Sequence, residues 1–396
     1  MDIILAGTAG FCFGVNRAIR MVEDCLDNNK GKRIYSHGQV IHNKQVIEDL
    51  QGKGLKVIED IDRVDEGILI IRAHGISPAI YEQIKKKNVE AVDTTCPFVK
   101  KIHIKVKERS CEGCKIVIAG DRNHPEVIGI MGWDKDAVVV GSEQEAQELE
   151  LSGKVCVVAQ TTLSKEKWDD ICGIIKQKVN DAEFCNTICS ATSERQKEAR
   201  EIAGKVDAMI VIGDPGSSNT RKLYEISRKY CENTFLIENK EQLEKILETE
   251  KVFLYRTQDG RLGTDIKVGV TAGASTPDRI IKEVIGRMSE ENKQVEEMSF
   301  EELFENSMRV IHDGEVVKGK IIGVTGKEIF VDLGYKADGI IPLEELSDAP
   351  EEKLLDKYKA GDEIEVYILK VNDGEGNALI ISKDGTRFPK PLNQVR

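Results

Sequence analysis

Through residues 1–286, short uninterrupted apolar runs alternate with amphipathic stretches of helical period, a pattern few folds accept. The runs are IILA (3–6), RIYS (33–36), ILIIR (68–72), AVD (91–93), KIVIAG (115–120), VCVVAQ (155–160), AMIVIG (208–213) and KVGVTAG (267–273). A strand with one wet face alternates polar and apolar residues. Runs this continuous predict strands covered on both faces, hence parallel sheets with helices packed on each side. Such sheets gather ligands at the carboxyl ends of their strands. The chemistry is therefore to be sought in the residues that follow each run.

The texture changes after residue 286. Residues 287–312 are acidic and helical in period, and read as a linker. Residues 313–383 hold five short strand-like runs (EVVKGKIIGV, EIFVDLG, DGIIPLEEL, EIEVYILKVN and ALIISK) separated by Gly-rich and Asp-rich turns, the spacing of a small all-β barrel. Residues 384–396 read as a tail. Of the net charge of −12, residues 313–383 carry −7, with 9 basic and 16 acidic side chains, which argues against broad polyanion binding there. No apolar run approaches the ~20 residues that cross a bilayer. The opening MDIILAGTAG lacks a basic flank and reads as a strand rather than a signal peptide. A cytoplasmic protein with reduced thiols is expected.

Ten cysteines stand at 12, 25, 96, 111, 114, 156, 172, 185, 189 and 231. Cys12, Cys96 and Cys189 share one local grammar: each follows a strand-like run and precedes a helical stretch. A helix N-terminus favours thiolate, the form that binds soft metal. Their wide spacing fits no zinc-finger or short ferredoxin pattern. It suggests a cluster held where three lobes meet, and three protein ligands leave one iron of a four-iron cluster open. Cys111 and Cys114 form a CxxC in a helix-to-strand turn without a second ligand pair nearby, and Cys185 reads as a packing residue. A zinc site from Cys111, Cys114, Cys185 and Cys189 is the rival reading of these thiols.

Other strand ends carry neutral donors. His42 lies in SHGQVIHN, His74 in RAHG, His124 and Glu126 in GDRNHPEV, and Thr161 in AQTTLS. Ser217, Ser218 and Asn219 lie in GDPGSSN and Ser275 in TAGAST. Histidines beside Ser- and Asn-rich helix starts suit a compact anion such as diphosphate, which helix N-termini bind without a lysine cluster. Glu126, beside His124 and Thr161 in such a site, is a natural proton donor. His37, His103 and His312 read as structural.

Taken together, GFCFGVNRAI, HGQVIHN, RAHGIS, DTTCPFV, GDRNHPEVIG, QTTLS, ICSATSERQ, GSSNTRKL and TAGASTPD resemble, in order, the motifs of the 4-hydroxy-3-methylbut-2-enyl diphosphate reductase (LytB) family. The resemblance implies an α/β trefoil of three small parallel-sheet lobes around a central [4Fe–4S] cluster. It implies Cys12, Cys96 and Cys189 as cluster ligands, and His42, His74, His124, Ser217, Ser218, Asn219 and Ser275 as diphosphate ligands. Thr161 and Glu126 would position and protonate the hydroxyl lost from the allylic diphosphate, yielding isopentenyl and dimethylallyl diphosphate. A ferredoxin or flavodoxin is the implied electron donor. GTAG at 7–10 departs from the Asn-Pro-Arg-Gly style of some members.

The C-terminal run resembles the ribosomal-protein-S-1 repeat, an OB-fold RNA-binding module, which implies RNA or the ribosome as a partner. Stacking by such barrels needs aromatics on a basic groove, and Phe330 and Tyr335 are the candidates, with Pro342 where many repeats carry histidine. An iron–sulfur RNA-binding regulator without catalysis is the alternative reading of the whole chain. Retention of Glu126 and Thr161 favours the enzyme, because a pure sensor needs only the three cysteines.

Overall fold

A computed structural model describes residues 1–87, 89–250, 266–292, 313–324, 328–333, 339–342, 358–359, 361–370 and 378–382. The chain divides into two compact units, Met1–Glu297 and Met298–Arg396.

In the first unit, β1 (Asp2–Leu5) and α1 (Phe13–Asn28) lead into β2 (Ile34–His37), α2 (Lys44–Gly52), β3 (Leu55–Ile58), β4 (Gly67–Ile71), α3 (Pro78–Lys85) and β5 (Val89–Asp93). There follow α4 (Pro97–Cys111), β6 (Lys115–Ala119), α5 (Pro125–Met131), β7 (Val138–Val140), α6 (Glu143–Glu148), β8 (Val155–Ala159), α7 (Lys165–Lys178) and β9 (Ala182–Cys185). The last third runs α8 (Ser190–Ala203), β10 (Ala208–Ile212), α9 (Ser218–Tyr230), β11 (Thr234–Ile237), α10 (Lys240–Thr249), β12 (Lys267–Ala272) and α11 (Asp278–Asn292).

The strands form three four-stranded sheets, ordered β3-β2-β4-β5, β7-β6-β8-β9 and β11-β10-β12-β1, and every pairing within them is parallel. All three share one topology. In the third, the last place is taken by β1, from the other end of the unit. Each last strand then turns into a cysteine and a helix: β5 into Cys96 and α4, β9 into Cys189 and α8, β1 into Cys12 and α1.

The apolar runs are buried on both faces, as their continuity requires. In β4, Ile68 and Ile70 pack with Ala18 and Val22 of α1, while Leu69 and Ile71 face Ile84 of α3. In β8, Val155 and Val157 pack on Trp168 and Ile171 of α7, while Cys156 and Val158 meet Ile102 and Val106 of α4. Truncating one of these, such as Ile70→Ala, costs about 2–5 kcal/mol by lost transfer energy and cavity formation.

His103 is structural, as its sequence context suggested: it is buried in α4 and stacked on Trp133 at 5.0 Å between ring centroids. Burial, opposed by Asp93 and reinforced by Lys100, lowers its imidazole to about 4. The unfolded chain then binds the extra proton first, so stability is full above about pH 6.5 and drains as pH falls through about 4. From this one group we expect a loss of roughly 3 kcal/mol across that window. Chemical denaturation at pH 7 and pH 4 checks it, with His103→Gln flattening the dependence. His312 lies outside the described residues.

In the second unit, β13 (Val316–Val324), β14 (Glu328–Asp332), β15 (Gly339–Pro342), β16 (Glu363–Lys370) and β17 (Ala378–Ser382) close a barrel in the order β13-β14-β15-β17-β16. Only β15 and β17 pair in parallel. Inward residues Val317, Ile321, Ile329, Val331, Ile341, Val366 and Ile368 form its core. Phe330 is buried, which withdraws it from the stacking surface its position suggested. Tyr335 lies outside the described residues. The expected linker over 287–312 is answered in part: its first residues continue α11, and 293–312 lie outside the described residues.

Candidate active site

All twelve residues singled out in the sequence line one cavity of the first unit. Its wall includes Cys12, Cys96, Cys189, His42, His74, His124, Glu126, Thr161, Ser217, Ser218, Asn219 and Ser275. It encloses about 110 Å³, below the roughly 300–1,000 Å³ of pockets for drug-sized ligands, so a compact guest fits.

The three thiols stand at the N-caps of α1, α4 and α8. Helices α2, α3, α6, α7, α9 and α10 begin instead on Asn43, Ser77, Ser142, Ser164, Ser217 and Asn239, whose side chains accept a first-turn amide. Cysteine is a poor cap beside these, so the thiols answer another need. Backbone amides of Phe98 and Val99 face the Cys96 thiol, and those of Ala191 and Thr192 face Cys189, which favours thiolate. Burial outweighs this, and with the charges of the neighbouring thiols it pushes both well above the ordinary range. Three thiolates in one dry cavity are stable only around a cation. A soft metal centre is the fitting guest, since it binds thiolate and repays the repulsion. Gly14 marks how close the lobes come: a Cβ there would stand 2.6 Å from Cys96 Sγ.

Opposite the thiols, His42, His74 and His124 form a triangle with ring centroids 4.7, 5.5 and 5.5 Å apart. Burial, with the charge of Arg72, holds all three below their usual value, and neighbouring imidazoles add to this at His74 and at His124, which falls to about 4. They are neutral at physiological pH, able to donate or accept. His124 Nδ1 accepts the Glu126 amide at 3.2 Å, which caps α5. His42 Nε2, His74 Nδ1 and both amide atoms of Asn219 are buried without a hydrogen-bond partner among the described residues. Orphans of this kind are costly and signal an absent ligand. Ser217 caps α9 and Ser218 Oγ lies 2.9 Å from Thr162 Oγ1. Ser275 Oγ donates to the His42 carbonyl at 2.8 Å, so it fixes the His42 loop and has only lone pairs left for a ligand.

Glu126 is buried in the first turn of α5. It accepts the Thr161 amide on Oε1 and the Thr161 hydroxyl on Oε2, both at 2.6 Å. Burial raises its carboxyl pKa despite these bonds, so it holds a proton more readily than a surface carboxyl.

The sequence reading missed Thr162, Thr192 and Arg195 on the same wall. Arg195 donates to the carbonyls of Ala191 and Gly10 at 3.1 and 3.0 Å, clamping α8 against the turn before Cys12. It lies inside ICSATSERQ, six residues past Cys189, and that position was the available signal. In the GTAG turn, the amides of Gly7 and Thr8 donate to Glu198 at 2.7 and 3.0 Å, a pairing a proline at position 8 would forfeit. The rival zinc set is not assembled: Cys189 lines the cavity, while Cys111 ends α4 and Cys185 lies in β9 against Cys156.

The family model described as LytB protein matches residues 3–289, and that of the S1 RNA binding domain matches residues 311–382. The 4-hydroxy-3-methylbut-2-enyl diphosphate reductase of Thermoanaerobacter sp. (strain X514) is 50% identical over 292 residues, covering 73% of this chain and 96% of that protein. The protein of the same name from Clostridium acetobutylicum is 40% identical over 394 residues, 96% of this chain, which spans only 58% of that relative's length. Among solved structures, the E-1-hydroxy-2-methyl-but-2-enyl-4-diphosphate reductase of Plasmodium falciparum aligns with a TM-score of 0.66 at 33% identity, over 73% of this chain and 88% of that one. With this match to the family model and to a full-length relative, the chain belongs to the LytB family.

Proposed function

We propose that this protein reductively removes the hydroxyl of 4-hydroxy-3-methylbut-2-enyl diphosphate, giving isopentenyl and dimethylallyl diphosphate, with Cys12, Cys96 and Cys189 as the ligands of a [4Fe–4S] cluster. One observation carries the reading: a single cavity holds three thiols, three neutral imidazoles, two of them with an orphaned nitrogen, and a buried acid bonded to a threonine. The reaction consumes two electrons and two protons and releases water. The cluster would supply the electrons and an open, Lewis-acidic iron.

The chain supplies the rest. His42, His74, His124 and Asn219 offer unspent donors to the diphosphate, and the start of α9 adds backbone amides and its dipole. Because the imidazoles are neutral when free, a dianion among them draws protons onto them. Diphosphate affinity is therefore expected to fall as pH rises from 6 to 8, measured by calorimetry in buffers of different ionisation heat. With the raised Glu126 carboxyl protonated, Oε2 donates to Thr161 Oγ1 and frees the Thr161 hydroxyl hydrogen for the reacting end, so the proton is stored one hydrogen bond behind it. The largely apolar lining of the cavity limits the water that competes for that proton.

The decisive experiment is anaerobic turnover of the allylic diphosphate with a reduced low-potential dye. A cluster-loaded protein that binds the substrate and never converts it would sink the reading in favour of a regulator. Ferredoxin or flavodoxin is the class of donor. Gly14→Ala, which drives a methyl against Cys96 Sγ, is expected to lower iron content per chain several-fold while leaving the helical circular dichroism unchanged.

We further assign the C-terminal barrel to docking on RNA or the ribosome, on the strength of its S1 match. With Phe330 buried and the segment net acidic, isolated-RNA binding is expected to be weak and to fade steeply with salt. Fluorescence anisotropy between 50 and 200 mM salt, roughly the span over which phosphate contacts weaken, checks this. The domain limits we propose, 1–286, 287–312, 313–383 and 384–396, are tested by a chain ending at residue 297, which is expected to keep its reductase activity.

A further inference from the structure

A second thiol cluster lies away from the cavity, on the face of the β7-β6-β8-β9 sheet that α4 covers. Cys156 of β8 and Glu183 of β9 are register partners, and Cys185 stands opposite Val158 two residues on. The three side chains thus leave the sheet on one side. Cys156 Sγ, Cys185 Sγ and a Glu183 carboxylate oxygen all lie within 4.8 Å of one another. Such a trio admits two guests, a metal ion or a second oxidation state of the thiols. The neighbours decide. Arg109 grips Glu183 through Nε at 2.6 Å and a second nitrogen at 3.2 Å, and Lys105 Nζ stands 3.5 Å from it. The Glu183 carboxylate is thus already committed to two cations, one of them shared with Glu112 at 2.6 Å, which makes it a poor ligand for a metal ion.

We propose that Cys156 and Cys185 are a peroxide-sensitive dithiol that closes reversibly to a disulfide. The facing Cys156 thiol lowers the Cys185 pKa and Lys105 adds to this, against burial and the Glu183 carboxylate, which raise it. Cys185 is half-buried on an edge strand and is the attacking sulfur; Cys156 is buried behind it and resolves. In the first step the Cys185 thiolate takes one oxygen from hydrogen peroxide. The S–O bond forms as the O–O bond breaks, the sulfur loses two electrons, and the hydroxide released takes a proton to become water. In the second step the Cys156 sulfur attacks the sulfenic acid, the S–S bond forms, and a second water leaves with the Cys156 proton. Two thiols and one peroxide give one disulfide and two waters. Because Cys185 sits diagonal to Cys156 on the paired strand rather than opposite it, the bond departs from the preferred geometry and is readily reduced.

The pair also has a route to the cavity. After β9 the chain is pinned to the end of β8 by Thr187, whose hydroxyl accepts the Ala159 amide at 2.8 Å and donates to its carbonyl at 2.6 Å. Two residues later comes Cys189, whose amide donates to the Thr161 carbonyl at 3.0 Å. Closing the disulfide pulls on that short segment. The dithiol itself does not depend on the reductase reading.

The test treats the full-length protein, purified without oxygen and freed of reductant, with rising hydrogen peroxide. Remaining thiols are blocked with iodoacetamide and the peptides sequenced by mass spectrometry. We expect a Cys156–Cys185 cross-link short of two hydrogens and lost with dithiothreitol. Cys185 should disappear at least about tenfold faster than the exposed Cys111, as a lowered thiol pKa implies. Cys156→Ala should leave Cys185 as a sulfenic acid that dimedone traps, and Cys185→Ser should abolish the cross-link with Cys111 reactivity unchanged. Cys156 and Cys185 still alkylatable after Cys111 is oxidised would overturn the proposal. So would a cross-link from Cys185 to Cys189, or one zinc per chain that Cys185→Ser removes.

Discussion

Replacing Cys96 by serine is expected to bleach the protein's visible absorption and to take reductase turnover below detection, whereas Cys111→Ser changes neither. The contrast follows from placement. Cys96 is half-buried at the start of α4 within the shared cavity, its thiol feeling both Cys12 and Cys189. Cys111, at the other end of the same helix, is exposed. Serine keeps the volume and the helix start but is a hard, weakly acidic oxygen where a soft thiolate is required. The apparent stability of the metal-loaded fold should drop along with the colour, because ligand binding to the native state is itself folding free energy. Iron analysis, absorption and thermal unfolding on the two variants check this. Equal bleaching in Cys111→Ser would show that the ligand set has been misassigned.

Glu126→Gln is expected to lower turnover by about 10²-fold or more, the range over which a positioned general acid acts, with substrate affinity little changed. Gln is nearly isosteric: its carbonyl oxygen takes the place of Oε1 and accepts the Thr161 amide, while its NH2 takes the place of Oε2 and donates to the Thr161 hydroxyl. Single-turnover kinetics separate the two effects, since a lost acid slows the chemical step and a distorted wall weakens binding. Near-normal turnover would move the proton source to water or to the diphosphate.

All twelve site residues were legible because each sits directly after a strand-like run or at the following helix start, where a parallel sheet must place its ligands. Central strands β4, β8 and β10 were equally plain, being apolar on both faces. The unpredicted strands were β3, β7 and β11, which occupy the opposite edges of the three sheets. An edge strand is covered on fewer sides, and LKVI, VVV and TFLI are too short or too mixed to announce themselves. The partnership of Cys156 with Glu183 and Cys185 was invisible for a different reason. It depends on strand register, which a single sequence does not disclose. Arg195 escaped because its guanidinium serves backbone carbonyls, and carbonyls leave no trace in composition.

The sharing of one topology by all three sheets, with β1 filling the last place of the third, sets an order of events during synthesis. Among the described residues β1 pairs only with β12, nearly the whole length of the unit later in the chain. A nascent chain exposes β1 and Cys12 first but cannot seat them until Lys267–Ala272 has left the ribosome. The lobes bearing β5 and β9 can already have presented Cys96 and Cys189 by then. The earliest of the three thiols made is thus the last one placed, and completion of the three-thiol cavity has to follow release of the unit from the exit tunnel.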